Sequence, residues 1–183
     1  MDIIVHKTRK KLIPPHLRVR DVMSFEHKSV RIDTPVSDIA KLLFTQIFNS
    51  ITVVDNNNKP VGIITESDLI NRAQMPVRFG VLERFGEAQL DEFAKTAANI
   101  RADAIMTKNI ITVHQDDQLF AAVKKMIKNG FKRLPVVNNS GKFCGVLSRL
   151  DVFKTIIKET PNWENLEKYN VRVENARFVK DIM

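Results

Sequence analysis

An internal repeat constrains the fold of this chain more than any other feature of its sequence. Residues 23–68 align without a gap on residues 106–151, at a separation of 83 residues. Eleven of the 46 aligned positions are identical, whereas average residue usage predicts about three. The sequence therefore predicts two copies of one structural unit. The identical positions in the first copy are Met23, Val30, Asp33, Lys41, Phe48, Val53, Val54, Asn56, Lys59, Gly62 and Asp68.

Both copies show the same order of hydrophobic patterns. In the first copy, alternation around Val30 predicts a short strand, and apolar residues spaced i, i+3, i+4, i+7 from Val36 predict an amphipathic helix. Two β-rich runs then flank an Asn-rich turn, and a second helix is expected to begin near Asp68. The repeat is thus a β-α-β-β-α unit, which makes the chain an α/β (α+β) protein. Asp33 and Asp116 precede the first helices, where a carboxylate can cap backbone N–H groups.

These patterns divide the chain into five segments. The region between the copies is rich in apolar residues, which favours an ordered helical connector over a flexible linker. The last seven residues repeat the pattern that opens each copy, so we expect a third copy to begin near Met183 in a longer protein; a coincidental apolar tail is the alternative. The segments are a basic N-terminal arm (1–17), repeat 1 (18–71), the connector (72–101), repeat 2 (102–158) and a C-terminal segment (159–183).

The net charge of +8 is concentrated in the N-terminal arm and its border. Residues 1–20 contain six lysines and arginines against Asp2 and so contribute +5 of it. Nucleic-acid binding through this arm is therefore an alternative function, but the interleaved aromatic residues that stack on single strands are absent there. No apolar run approaches the roughly 20 residues that cross a bilayer, and no signal peptide opens the chain. We expect a cytoplasmic protein without membrane insertion.

The sequence does not suggest an enzyme or a metal site. Its four histidines are scattered and none stands at zinc-ligand spacing with Cys144, the single cysteine, which we interpret as a small core residue. It contains no glycine-rich phosphate loop and nominates no Ser-His-Asp constellation. Any catalytic activity is expected in another part of a longer polypeptide.

A glycine, a hydroxyl residue and an aspartate recur at the end of each copy. The spacing is Gly-x-x-Thr/Ser-x-x-Asp, at the junction between a predicted strand and a predicted helix. A carboxylate there can accept hydrogen bonds from the vicinal hydroxyls of a ribose, and hydroxyls with helix N-terminal N–H groups suit a phosphate. Helix capping alone is the alternative role. The motif residues are Gly62, Thr65 and Asp68 in repeat 1 and Gly145, Ser148 and Asp151 in repeat 2.

These motifs, with Met23 and Met106 ahead of the first strands and the run Leu134–Val137 before the turn, resemble the cystathionine-β-synthase (CBS) domain. Two copies in tandem, over about residues 18–158, resemble a Bateman module. The resemblance implies that the copies pack through their sheets around a pseudo-twofold axis, leaving two clefts that often take adenosine-containing ligands. It also implies disc-like homodimers that regulate an attached enzyme, channel or transporter, and it places the motif hydroxyls near the ligand phosphate.

The two copies differ in charge beside these motifs. A cleft that takes its phosphate contacts from repeat 2 should favour charged nucleotides, whereas one that relies on Glu66 should disfavour a polyphosphate. Lys132 and Arg133 could instead be solvated surface residues. The basic residues of repeat 2 are Lys132, Arg133 and Arg149, and the matching residues of repeat 1 are Asn49, Ser50 and Glu66.

The sequence therefore predicts a regulatory module that binds AMP, ADP, ATP or S-adenosylmethionine between the copies. Its ribose would lie on Asp68 or Asp151, and its base against strand residues such as Ile51, Leu134 and Pro135. A structural dimerisation module with empty clefts is the alternative. The closing helix offers apolar residues that could form either a dimer face or part of the core: Phe153, Ile156 and Ile157.

Overall fold

Two three-stranded sheets, one from each repeat, form the framework of the protein. The structure is a computed structural model that describes residues 13–45, 50–76 and 87–159. In each sheet the first strand runs parallel to the second, and the second pairs with the third as an antiparallel hairpin. The predicted mixed fold with two β-α-β-β-α units is confirmed.

The elements follow the predicted order in both repeats. In repeat 1 they are β1 (Ser29–Arg31), α1 (Val36–Thr45), β2 (Ser50–Val54), β3 (Pro60–Thr65) and α2 (Glu66–Arg72). In repeat 2 they are α4 (Ala102–Ile105), β4 (Val113–His114), α5 (Leu119–Asn129), β5 (Arg133–Val137), β6 (Phe143–Ser148) and α6 (Arg149–Glu159). The described part of the connector contains α3 (Glu87–Ala98), and a short 3-10 helix, Val19–Asp21, precedes β1.

Each sheet is covered by the apolar face of its helices. The predicted helical spacing places Val36, Ile39 and Leu43 of α1 in a buried cluster with the strands of repeat 1. Leu119 and Met126 of α5 occupy the same role in repeat 2. Burying an aliphatic side chain of this size contributes about 1.5–3 kcal/mol, so these helix faces hold the sheets in place.

Each repeat has a leading segment ahead of its first strand, residues 18–28 in repeat 1 and 102–112 in repeat 2. This segment packs on the sheet of the other repeat. Ser24 exchanges two backbone hydrogen bonds with Val146 of β6, at 2.9 and 3.0 Å. Thr107 does the same with Ile63 of β3, at 2.9 and 3.1 Å. These residues occupy equivalent positions in the two copies, so the exchange is reciprocal. It gives the pair the pseudo-twofold arrangement that the resemblance implies.

This exchange explains the glycine of each motif. A Cβ on Gly62 would lie 2.4 Å from Sδ of Met106, and a Cβ on Gly145 would lie 2.6 Å from the backbone oxygen of Ser24. The leading segment of the opposite repeat therefore leaves no space for a side chain at either position. The glycine of each motif therefore meets a packing requirement between the repeats.

The predicted cap at Asp116 is wrong. The N-cap residue of α5 is Gln118, which makes no side-chain capping hydrogen bond. The Asp116 carboxylate instead forms an ion pair with Arg20 from the leading segment of repeat 1. The local sequence predicts that this carboxylate caps the helix, but it pairs with Arg20 of the other repeat instead.

The ends of the chain lie largely outside the described residues. Ile13 is buried in the cluster of repeat 2, but residues 1–12 and 160–183 are outside the described ranges, so the basic arm and the third repeat stay predictions. Ile156 packs against the same cluster. None of the helices in the described part of the chain combines the length and apolar character that crossing a bilayer requires.

Candidate functional site

The motif residues of repeat 1 form a reciprocal capping box at the start of α2. The backbone N–H and the hydroxyl of Thr65 both donate to Oδ2 of Asp68, at 2.8 and 2.7 Å. A strand that ends in threonine and a helix with an acidic third residue favour this geometry, because each satisfies an orphan group of the other. Helix capping is thus a real role of these residues, and it uses one oxygen of the carboxylate.

A cleft of about 650 Å³ lies beside this box, between the two repeats. Repeat 1 contributes the end of its hairpin and the start of α2, whereas repeat 2 contributes its leading segment and the loop between α5 and β5. Such a volume is in the range of small-molecule sites. The lining residues are Ser50, Ile63, Thr65, Glu66, Ser67, Asp68, Thr107, Asn109, Ile110, Ile111, Gly130, Phe131, Lys132, Arg133 and Leu134.

Five of the predicted site residues line this cleft: four polar residues and Leu134. Thr65 and Asp68 come from repeat 1, and Lys132 and Arg133 come from repeat 2. The cleft therefore presents a carboxylate and a pair of cations from opposite repeats. Glu66 lines it as well, so the acidic residue of repeat 1 and the basic residues of repeat 2 share one cleft instead of marking two different ones.

The predicted apolar residues take other positions. Ile51 is 2% exposed and belongs to the core of repeat 1, whereas Leu134 lines the cleft but is only 1% exposed. Pro135 is buried in β5 opposite Val146. Of these three residues, only Leu134 lines the cleft.

Sequence reasoning missed the apolar surface that the cleft presents. Ile110 and Ile111 of the leading segment and Phe131 after α5 line the cleft, and Phe131 is 38% exposed. Ile110 has no apolar counterpart in repeat 1, because His27 stands at its position. The available signal was Phe131, which is identical to Phe48 across the repeat.

The motif of repeat 2 forms the same local geometry at the start of α6. The backbone N–H and the hydroxyl of Ser148 donate to Oδ2 of Asp151, at 2.9 and 2.6 Å. The Nε of Arg149 donates to the backbone oxygen of Phe131 at 2.9 Å. Arg149 therefore contacts the loop between α5 and β5, which lines the cleft.

Arg133 and His27 contribute charge on the Asp151 side. Burial lowers the pKa of the Arg133 guanidinium from its ordinary value, and the charge of Asp151 opposes this change. Burial and the nearby charge of Arg133 lower the pKa of His27 from 6.5, again opposed by Asp151. The residues from both repeats thus form one electrostatic group around Asp151.

The lowered pKa of His27 predicts acid sensitivity. The unfolded chain binds a proton at His27 more readily than the folded protein does, so stability rises with pH until the imidazole is neutral in both states. We expect the free energy of unfolding to fall as the pH drops below about 6.5, and His27→Gln to reduce this fall. Urea denaturation at pH 5.5 and 7.5 measures it, with the exposed His16→Gln as control. An unchanged pH dependence in His27→Gln would contradict the prediction.

The comparison with protein families decides the identity of the repeats. The model of the CBS domain matches residues 19–74 and again residues 102–158. The chain belongs to the CBS domain family. CBS-pair proteins are generally regulatory modules.

The CBS pair of this chain is similar to parts of two other proteins. A protein of Methanocaldococcus jannaschii named as uncharacterised is 26% identical over 147 residues, which cover 80% of this chain and 42% of that protein. Another, a 17.7 kDa protein of Acidianus ambivalens, is 26% identical over 128 residues, covering 70% of this chain and 66% of that protein. The chain thus spans less than half of the first relative.

Solved structures share the fold. The CBS domain of a membrane protein from Sphaerobacter thermophilus is 26% identical with a TM-score of 0.64, covering 76% of this chain and 88% of that one. CBSX2 of Arabidopsis thaliana, in complex with AMP, is 24% identical with a TM-score of 0.61, covering 77% and 97%. The CBS pair of protein MJ0100, in complex with 5′-methylthioadenosine and S-adenosyl-L-methionine, is 23% identical with a TM-score of 0.58, covering 80% and 100%.

Proposed function

We propose that this CBS pair is a regulatory module that binds an adenine nucleotide or a related adenosine ligand between its repeats. The observation that carries the proposal is the cleft of about 650 Å³, which is lined by Asp68 of one repeat and by Lys132 and Arg133 of the other. A ribose needs a hydrogen-bond acceptor, and a phosphate needs cations and N–H donors. Both kinds of group line the cleft.

The apolar residues of the cleft suit the base. Ile110, Ile111 and Phe131 are partly exposed there, whereas Ile51 and Leu134 are covered. An aromatic ring with an exposed face can stack on a purine, a contact worth about 1–3 kcal/mol per base in nucleic-acid complexes. The base is therefore assigned to this surface, with Leu134 and Pro135 behind it.

Proteins of the same fold support this ligand class. CBSX2 has been crystallised with AMP, and the pair of MJ0100 with 5′-methylthioadenosine and S-adenosyl-L-methionine. Both are less than 25% identical to this chain, so the likeness itself shows the fold. The choice among AMP, ADP, ATP and S-adenosylmethionine follows from the experiment below.

Calorimetry with these four compounds tests the proposal. We expect at least one to bind, and Asp68→Ala and Asp151→Ala each to weaken binding in their own cleft by about tenfold or more, because each removes a charged acceptor. Asp38→Ala is the matched control, since it removes an exposed carboxylate on α1 whose nearest cation, Lys41, is 3.9 Å away. If no compound binds below millimolar concentration, or if both substitutions leave affinity intact, the proposed site is wrong.

The ligand acts by biasing the arrangement of whatever is attached to the module. A ligand shifts such an equilibrium only by its differential affinity for the two arrangements. Homodimerisation through the CBS pairs, a cytoplasmic location and the absence of an activity of its own remain predictions. A structural module with empty clefts is the competing function, and it predicts no ligand-induced shift in thermal denaturation.

A further inference from the structure

The two motif aspartates use one carboxylate oxygen in the same way. In both repeats Oδ2 accepts the backbone N–H and the hydroxyl of the motif's own Thr or Ser, at distances between 2.6 and 2.9 Å. These local bonds belong to the strand-to-helix junction of each repeat. The other oxygen, Oδ1, is therefore the better acceptor for the hydroxyls of a ribose.

At Asp68 this second oxygen already has partners. Nη1 of Arg72 lies 3.3 Å from Oδ1, and the hydroxyl of Thr107 lies 3.4 Å from it. Asp68 and Arg72 are four residues apart on α2, which places their side chains on the same face. The side chain of Asp68 is 12% exposed and that of Arg72 is 45% exposed, so the pair closes the carboxylate off from one side.

Contacts with the other repeat hold Arg72 in this position. Its Nη1 donates to the backbone oxygen of Ile105 at 2.7 Å and to the hydroxyl of Thr107 at 3.3 Å. An exposed ion pair alone is weak because solvent screens it. Here the leading segment of repeat 2 orients the guanidinium toward Asp68, so the contact is more than a fluctuating surface pair.

Repeat 2 lacks this arrangement. Thr155 stands at the position equivalent to Arg72, and its hydroxyl donates to the backbone oxygen of Asp151 at 3.0 Å. A threonine carries no charge, and this one is directed to the helix backbone. Thr155 therefore cannot hold Asp151 as Arg72 holds Asp68, and the positive charge that acts on Asp151 comes from Arg133 of β5.

We propose that Arg72 is a specificity-determining residue that competes with ligand hydroxyls for Asp68 and so lowers the affinity of this cleft for an adenosine ligand. This inference rests on the proposed function. A ribose hydroxyl that donates to Oδ1 competes with Arg72 for this oxygen, and the apparent affinity falls as the fraction of molecules in which Arg72 occupies it rises.

Calorimetry with AMP in single-site backgrounds tests this competition. Asp151→Ala leaves the Asp68 cleft, and there Arg72→Thr should tighten AMP binding by about three- to tenfold. In the Asp68→Ala background the remaining AMP binding is expected to depend on Asp151, and there Thr155→Arg should weaken it by a similar factor. Arg72→Gln provides a second variant that keeps a donor for the oxygen of Ile105 but removes the charge. Thermal denaturation of each variant checks that it is folded.

Arg72→Thr in the Asp68→Ala background separates competition from a general loosening of the fold. Competition predicts unchanged affinity there, because the carboxylate that Arg72 contacts is absent. Weaker or unchanged binding on Arg72→Thr in the Asp151→Ala background overturns the inference, and weaker binding would assign Arg72 to the ligand phosphate. If AMP, ADP, ATP and S-adenosylmethionine all fail to bind the wild type and every variant, the proposed function fails instead, and the inference falls with it.

Discussion

Replacing Gly145 by alanine is expected to lower the free energy of unfolding by about 2–4 kcal/mol. The added Cβ would lie 2.6 Å from the backbone oxygen of Ser24, and that oxygen accepts the hydrogen bond of Val146 at 3.0 Å. Backbone held in this way cannot move aside without breaking the contact between repeats. Urea denaturation monitored by circular dichroism measures the loss.

Gly62→Ala is the matched control for this substitution. The nearest atom to its added Cβ is Sδ of Met106, at 2.4 Å, and a methionine side chain can rotate away. We expect a smaller loss of about 1–2 kcal/mol, and a Gly62→Ala, Met106→Ala double variant that is more stable than the sum of the single losses predicts. Equal losses at the two glycines would contradict the distinction between a rigid and a flexible neighbour.

Leu134→Ala is expected to lower the free energy of unfolding by about 2–5 kcal/mol, the range measured for truncated core leucines. Its side chain is 1% exposed and belongs to the core cluster of repeat 2. The substitution leaves a cavity beneath the cleft, so we expect its effect on stability to be larger than its effect on ligand affinity. Denaturant titration with and without AMP separates the two effects.

Phe131→Ala is the matched comparison, because Phe131 lines the same cleft but is 38% exposed. We expect its stability to change by less than about 1 kcal/mol and its affinity for an adenosine ligand to fall. The opposite pattern would be a stable Leu134→Ala protein that no longer binds an adenosine ligand. It would indicate that the base contacts the strand residues that the sequence first suggested.

The order of elements could be predicted because it depends on local patterns. The spacing from Val36 identifies α1, and the repeat at 83 residues doubles every such observation. The pairing of Ser24 and Thr107 with the sheet of the opposite repeat could not be predicted, because periodicity carries no information about which distant segments pair. The motif glycines were visible in the sequence, but the close approach of the opposite repeat, which leaves no space for a side chain there, was not.

The site was predictable in the same partial way. The hydroxyl and carboxylate of each motif stand where the sequence places them, since a strand-to-helix junction fixes them locally. The apolar wall at Ile110 and Ile111 depends on the exchanged segment and so was missed. The spacing of Asp68 and Arg72 indicates an ion pair, but the contact with Ile105 that orients Arg72 comes from the other repeat.

The exchanged leading segments also suggest how such a chain arose. In the pair, the leading segment of each repeat bonds to the edge strand of the other, as Ser24 does with Val146 and Thr107 with Ile63. A single repeat would leave both its leading segment and its edge strand without these partners. Two identical single-repeat chains could satisfy these contacts in trans, as a domain-swapped homodimer. Fusion of the two genes would convert that dimer into one chain, and each half could then change independently. The difference between Arg72 in repeat 1 and Thr155 at the equivalent position of repeat 2 is the kind of divergence that such a fusion permits.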